Sequence, residues 1–132
     1  MFWKKPKLTD PHLGELAYSS GSWDTHIETR HGRILASVSG SRRSLDGVSR
    51  SQLIAIVGDL DRYHSGAVTA IRMDQFASEW LDGTHGTLEL SNIISTNVEG
   101  QFSLLFGFSA WPDGTINADF CDWKVKEVWC ND

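Results

Sequence analysis

Residues 102–108 constrain the fold of this chain more than any other stretch. In the run Phe-Ser-Leu-Leu-Phe-Gly-Phe, a large apolar side chain stands at every second position. Successive side chains of a β-strand point to opposite faces, so this period of two predicts a strand with one buried face. We expect the main sheet to be built over residues 86–129, from Gly86 to Trp129, around this strand.

The remaining patterns extend the sheet on both sides of a helical middle. Six strands are predicted, over residues 13–18, 23–30, 33–39, 87–95, 101–110 and 115–129. A turn at His31-Gly32 joins the second and third strands, and Pro112-Asp113-Gly114 predicts the last turn. The apolar phase of the final strand changes near Cys121-Asp122, which is typical of a β-bulge.

The helical middle begins after a polar loop. Ser49 followed by Gln52 has the spacing of a capping box, and an apolar face then predicts a helix that reaches about Arg62. His64-Ser65-Gly66 predicts a break, and the conformation of residues 63–73 stays open. Asp74 is expected to begin a second helix that closes at Asp82-Gly83.

These elements predict an α+β fold in one domain over residues 1–132, with residues 1–10 as an N-terminal arm. Its antiparallel sheet has about six strands in the order β-β-β-α-α-β-β-β, with the helices packed on one face. A chain of 132 residues is long enough to bury one core.

Charge and cysteine content indicate the partners and the cellular compartment of such a chain. A formal net charge of −5 gives no general attraction for nucleic acid or for an anionic membrane. Cys121 and Cys130 stand an odd number of positions apart on one predicted strand, so we expect two free thiols and a reducing compartment. With no apolar run typical of a signal peptide or membrane span, the predicted location is the cytoplasm.

Two polar groups deserve consideration as catalytic or metal sites. Asp24, His26 and Glu28 share one strand face near His31, which is the residue chemistry of a divalent-metal site and equally that of a solvated face. A second group, Asp59, Asp61 and His64, lies at a helix end, where a hydrated helix surface is the simpler interpretation.

Motifs of known catalytic function are missing from the sequence. No nucleophile elbow, phosphate-binding loop or dinucleotide fingerprint is present. Cys121 stands beside Asp122, whose carboxylate disfavours the reactive thiolate. We therefore predict no catalytic residue, no metal and no cofactor.

Tryptophan supplies the preferred binding candidates. Trp111 stands at a predicted turn beside Asp113, and Trp123 and Trp129 lie on the final strand. An exposed tryptophan is a frequent anchor of protein interfaces, although Trp111 could equally cover a sheet edge. The predicted binding residues are Trp111, Trp123, Trp129 and Asp113.

Short motifs resemble a known family. The start Asp-Pro-x-Leu-Gly-x-Leu over residues 10–16, a later Trp23, Asp74-Gln75-Phe76, residues 88–93 and Asp113-Gly114 are similar to the bacterial DUF2262-like family of unknown function. Gly107-Phe108 stands where that family has a Gly-His pair. Similar small acidic bacterial domains resemble immunity proteins, which bind and neutralise a toxin.

Three functions follow from the sequence. The favoured hypothesis is a non-enzymatic, immunity-like protein that binds a protein partner such as a basic toxin. The alternative is a small metal-dependent or hydrolytic enzyme that uses one of the two polar groups above. A third hypothesis is self-association through a sheet edge.

Overall fold

The computed structural model describes residues 4–132, which form nine strands, two α-helices and a short 3-10 helix. The strands are β1 (Lys7–Asp10), β2 (Gly14–Ser19), β3 (Ser22–Thr29), β4 (Gly32–Ser41), β5 (Ser44–Leu45), β6 (Leu88–Ser95), β7 (Phe102–Phe108), β8 (Trp111–Cys121) and β9 (Lys124–Asn131). The helices are α1 (Gly47–Gly58), α2 (Leu60–Met73) and the 3-10 helix (Ala77–Leu81).

All nine strands belong to one sheet, in the order β1-β2-β3-β4-β6-β7-β8-β9, with β5 paired to β4. Neighbours are antiparallel except β4 and β6, which are parallel because the chain crosses between them through α1 and α2. The α+β class is confirmed. The prediction of about six antiparallel strands is wrong, since the sheet has nine strands and is mixed.

Three additional strands account for the difference: β1, β5 in the predicted polar loop, and β9, which is separated from β8. Residues 7–10, assigned to the N-terminal arm, pair with β2 as strand β1. Asp122 and Trp123 take positive φ angles of 55° and 65° and form a tight turn, so the expected bulge is a hairpin that divides the last strand in two. The preceding turn lies at residues 109–110, and Pro112-Asp113-Gly114 belongs to β8.

The helices also begin and end away from the predicted positions. The N-cap of α1 is Asp46, whose carboxylate accepts a 2.9 Å bond from the Ser49 amide, so the predicted cap at Ser49 is wrong. Ser49 is instead buried, and its hydroxyl donates to the Ser95 carbonyl on β6. The break between helices lies at Asp59, and α2 continues through residues 64–66.

Both helices pack on the face of the sheet that holds the alternating phenylalanines. Tyr63 of α2 contacts Phe102 and Phe120 edge-on, at ring-centroid distances of 5.3 and 5.9 Å. Leu53 and Ile56 of α1 are fully buried in the same apolar cluster. None of the described helices is long and apolar enough to cross a membrane.

Candidate functional site: the open face of the sheet

The opposite face of the sheet is open to solvent over the described part of the chain. Along β4 and β7, fully buried side chains alternate with partly exposed ones, and the buried set faces the helices. This alternation is expected for a sheet covered on one side only. The other set of side chains forms the surface called here the open face.

Strand register aligns the side chains of the open face in two rows that cross the sheet. The first row is His26, Leu35, Asn92, Leu105, Asn117 and Trp129. The second row is Ala17, Asp24, Ser37, Ile94, Ser103, Asp119 and Glu127. Directly opposed side chains on neighbouring strands lie close together, so each row runs across the sheet without a gap. Asn117 is the one buried member of the first row.

Each row carries one large apolar side chain that is exposed to solvent. Ile94 and Trp129 are 37% and 41% exposed, which places both among the large apolar side chains that face solvent. Leu35 and Leu105 are half-buried and flank the position of Asn92 in the first row. Among the residues that the structure describes, four other large apolar side chains are also exposed but lie outside the strands of this face: Val48, Met73, Phe76 and Val98.

Two carboxylates of the second row lie one on either side of Ile94, each separated from it by a serine. Oδ1 of Asp24 accepts hydrogen bonds of 2.8 Å from the hydroxyls of both Ser22 and Ser37. Oδ1 of Asp119 accepts a 2.7 Å bond from the Ser103 hydroxyl, and its Oδ2 accepts a 2.8 Å bond from the Trp129 indole N–H. Both carboxylates are therefore held in place by neutral donors.

Neither Asp24 nor Asp119 forms an ion pair with another described residue. Two carboxylates on β2 and β3 do form ion pairs: Glu15 lies 3.4 Å from Lys7, and Glu28 lies 3.5 Å from Arg33. The two carboxylates of the second row thus keep their negative charge available to another molecule.

Each of the two carboxylates lines a shallow surface pocket. The pocket at Asp24 has a volume of about 310 Å³ and also holds Glu15 and Lys5. The pocket at Asp119 has a volume of about 300 Å³ and also holds Glu127 and Lys126. Carboxylates outnumber lysines in both pockets, so both are electronegative places where a cationic side chain can enter.

The predicted binding residues are not brought together. Trp129 lies on the open face, but Trp111 packs on the helix side, stacked on His85 at 4.2 Å and edge-on to Trp80 at 4.7 Å. Trp123 lies at the far end of β8, in the turn, with its ring 5.8 Å from that of Phe102. Asp113 is exposed in the first part of β8.

A separate cluster forms where the β3–β4 turn meets α2. Oδ1 of Asp61 accepts a 2.8 Å bond from Nε2 of His31, and its Oδ2 accepts a 2.6 Å bond from Arg30. The His31 ring stacks on that of His64 at 3.8 Å. Burial, with a smaller contribution from His31, lowers the pKa of His64, whereas the hydrogen bond from His31 lowers the pKa of Asp61.

The structure groups the polar residues differently from the two predicted sets. His31 joins Asp61 and His64 rather than Asp24, His26 and Glu28, and Asp59 lies 3.6 Å from Arg62. Within residues 4–132, no three histidine, cysteine, aspartate or glutamate side chains are arranged to hold a metal ion. Cys121 and Cys130 are both free, half-buried thiols.

The outer edge of β9 has no neighbouring strand among the described residues. Its register with β8 shifts at Lys126, and the strand carries a second lysine at Lys124. A bulge and lysine side chains both discourage the addition of another strand at an edge. This edge is therefore a poor surface for self-association.

Sequence reasoning missed Asp119, Ile94 and the serines as candidates for a site. Each strand alone shows only that one face is polar, and nothing along the chain indicates that Asp24 and Asp119 lie in one row.

The fold and this surface define a two-layer α+β domain with one open sheet face. Comparisons with family models, curated proteins and solved structures return no match to this chain.

Proposed function

We propose that this chain is a non-enzymatic protein-binding domain whose contact surface is the open face. The observation that carries the proposal is the second row, where exposed Ile94 lies between two carboxylates that no described cation neutralises. Apolar contact supplies most of the energy of such interfaces, and charge complementarity supplies orientation and selectivity.

Charge also indicates the chemistry of the partner. The chain has a net charge of −5, and carboxylates outnumber lysines in both pockets of the open face. A protein surface with an apolar patch bordered by lysine or arginine side chains fits these features. The resemblance to the DUF2262-like family and to immunity proteins implies a basic toxin in the bacterial cytoplasm as the partner and an immunity role for this chain.

The experiment uses the intact chain as bait in extracts of its native host, with bound proteins identified by mass spectrometry. Ile94→Glu places a charge in the centre of the open face, and Val98→Glu is the matched control. Val98 is also an exposed aliphatic residue, at 47%, but it lies in the β6–β7 loop. We expect a stoichiometric basic partner that is retained by Val98→Glu and lost with Ile94→Glu.

Two results would contradict the proposal. One is the absence of any stoichiometric partner, and the other is a partner that Ile94→Glu retains as well as the wild-type chain does. Thermal unfolding of both variants verifies that the exposed substitutions leave the fold intact. A partner that binds but is acidic would contradict the proposed charge complementarity alone.

A second candidate function, a small hydrolytic enzyme, is supported by the convergence of His31, Asp61 and His64. Histidine is the commonest general acid or base, and a shifted pKa such as that of His64, beside a histidine bonded to a carboxylate, is typical of functional sites. The double variant His31→Gln/His64→Gln tests it against a panel of ester and phosphodiester substrates. Turnover by the wild-type chain that this variant abolishes would favour the enzyme.

A further inference from the structure

We infer that Asp24 and Asp119 are two separate anchors for two basic side chains of one partner molecule, placed on either side of an apolar contact with Ile94. This inference rests on the proposed function and specifies how the partner is recognised. It is carried by the second row, in which a serine and then an aspartate follow Ile94 in both directions.

The five central residues of the row make a symmetrical sequence across five strands: Asp24, Ser37, Ile94, Ser103 and Asp119. On each side of Ile94, a serine hydroxyl donates to the carboxylate on the next strand, at 2.8 Å for Ser37 and 2.7 Å for Ser103. The two carboxylates are four strand spacings apart, which is about 19 Å. Because one cationic side chain cannot reach both carboxylates, a partner that contacts both needs two cationic side chains.

Both carboxylates have acceptor capacity left for a partner. The two serine bonds to Asp24 reach Oδ1, so Oδ2 has no donor within the described residues. Each oxygen of Asp119 accepts one bond, whereas a carboxylate can accept about four. An arginine or lysine that enters either pocket therefore adds a charge-assisted bond without displacing an existing one.

The spacing restricts the form of the partner. About 19 Å corresponds to about 13 residues of α-helix, or to about six residues of an extended segment. A helix with basic residues near both ends and apolar residues between them would satisfy both anchors and cover Ile94. A compact cluster of basic residues would engage one anchor and leave the other free.

A phage-displayed library of random 20-residue peptides tests the inference without knowledge of the natural partner. Selection against the wild-type chain is followed by removal of peptides that also bind Ile94→Glu. We expect the remaining peptides to carry lysine or arginine on both sides of an apolar segment. Such peptides should bind about fivefold more weakly to Asp24→Asn, as for the loss of one solvent-exposed ion pair.

Asp24→Asn is a conservative substitution, because an amide oxygen at the position of Oδ1 still accepts both serine bonds. Asp119→Asn has the same expected effect, with folding verified by thermal unfolding because its second oxygen accepts from Trp129. Glu79→Gln, on the exposed side of the 3-10 helix, removes one negative charge elsewhere and should leave affinity unchanged.

The outcomes separate this inference from the proposed function. Peptides that need Ile94 but bind Asp24→Asn and Asp119→Asn as tightly as wild type would overturn the two anchors and leave the open face as the contact surface. Selection of no Ile94-dependent peptide would overturn both. Equal weakening by Glu79→Gln would show a general charge effect and would also overturn the anchors.

Discussion

Gln52 of α1 holds Gly100 of the β6–β7 loop, whose backbone N–H donates a 2.7 Å hydrogen bond to Oε1 of the amide. The same amide donates through Nε2 to the carbonyl oxygen of Gln101 at 2.8 Å. Gln52 is only 3% exposed, so its side chain fixes a loop to a helix from inside the protein. The capping-box role predicted for Gln52 is wrong because its side chain is bonded to the β6–β7 loop instead of to the start of the helix.

Gln52→Leu should destabilise the chain because it leaves the buried N–H of Gly100 without its partner, whereas the carbonyl of Gln101 keeps its bond from the Thr96 hydroxyl. We expect the free energy of unfolding to fall by about 2–3 kcal/mol. Urea unfolding followed by circular dichroism measures the change. Ser51→Ala, at the exposed neighbouring position, is the control and should stay within about 0.5 kcal/mol of wild type.

Acid should destabilise the chain through His64. Burial and the neighbouring His31 lower the pKa of His64, while Asp61 opposes them weakly. Below about pH 6.5 the unfolded chain binds this proton more readily than the folded chain, so the free energy of unfolding decreases as the pH falls. We expect Tm to drop between pH 7.5 and pH 5.5.

His64→Phe keeps a ring between His31 and Phe106 and removes the titrating group. Its Tm should depend less on pH over the same range than the Tm of wild type. His26→Gln removes an exposed histidine from the open face and serves as the control. An identical pH dependence in wild type and His64→Phe would contradict the role given to this histidine.

Gly114→Ala should displace Trp111. A Cβ at position 114 would overlap the indole, at 2.6 Å from its Cδ2 atom, whereas the backbone φ itself imposes no restriction on this glycine. Overpacking of this kind lowers the free energy of unfolding by about 1–3 kcal/mol. Gly107→Ala on the next strand is the matched control, because no atom lies within 4 Å of its added Cβ. Thermal unfolding should show a lower Tm for Gly114→Ala and an unchanged Tm for Gly107→Ala.

Arg50 should stabilise the chain at neutral pH through Asp10. The side-chain bond from Arg50, opposed by burial and supported by the His12 and Leu13 amides, holds the pKa of Asp10 well below its usual range. This carboxylate therefore contributes stability above the unfolded pKa of about 3.9, and that contribution is lost progressively as the pH falls below it.

Arg50→Gln should lower Tm at pH 7 by several degrees and should make stability less dependent on pH below about 4. Arg62→Gln is the control, because the Arg62 pair with Asp59 is exposed, with 3.6 Å between its atoms. Exposed pairs of this kind contribute little to stability. Equal losses in Tm for the two variants would show that Asp10 does not depend on Arg50 as proposed.

Local sequence patterns predicted the parts of the fold that depend on neighbouring residues. The alternation over residues 102–108 gives strand β7, and the hairpin around His31 gives β3 and β4, as observed. Both depend on period-two alternation and turn residues within one segment. Errors lie where a side chain has a distant partner, as for Ser49 with Ser95 and Gln52 with Gly100.

The sequence by itself determined the α+β class, the strand with the alternating phenylalanines and the acidic charge, because these depend on composition and local periodicity. Only the tertiary structure decided that β4 and β6 are parallel, that His31 meets His64, and that Asp24 and Asp119 share one row. Each of these relationships joins residues separated by more than 30 positions. Strand order and register fix the first and third relationships, and the packing of α2 against the β3–β4 turn fixes the second. No local pattern in the chain specifies any of them.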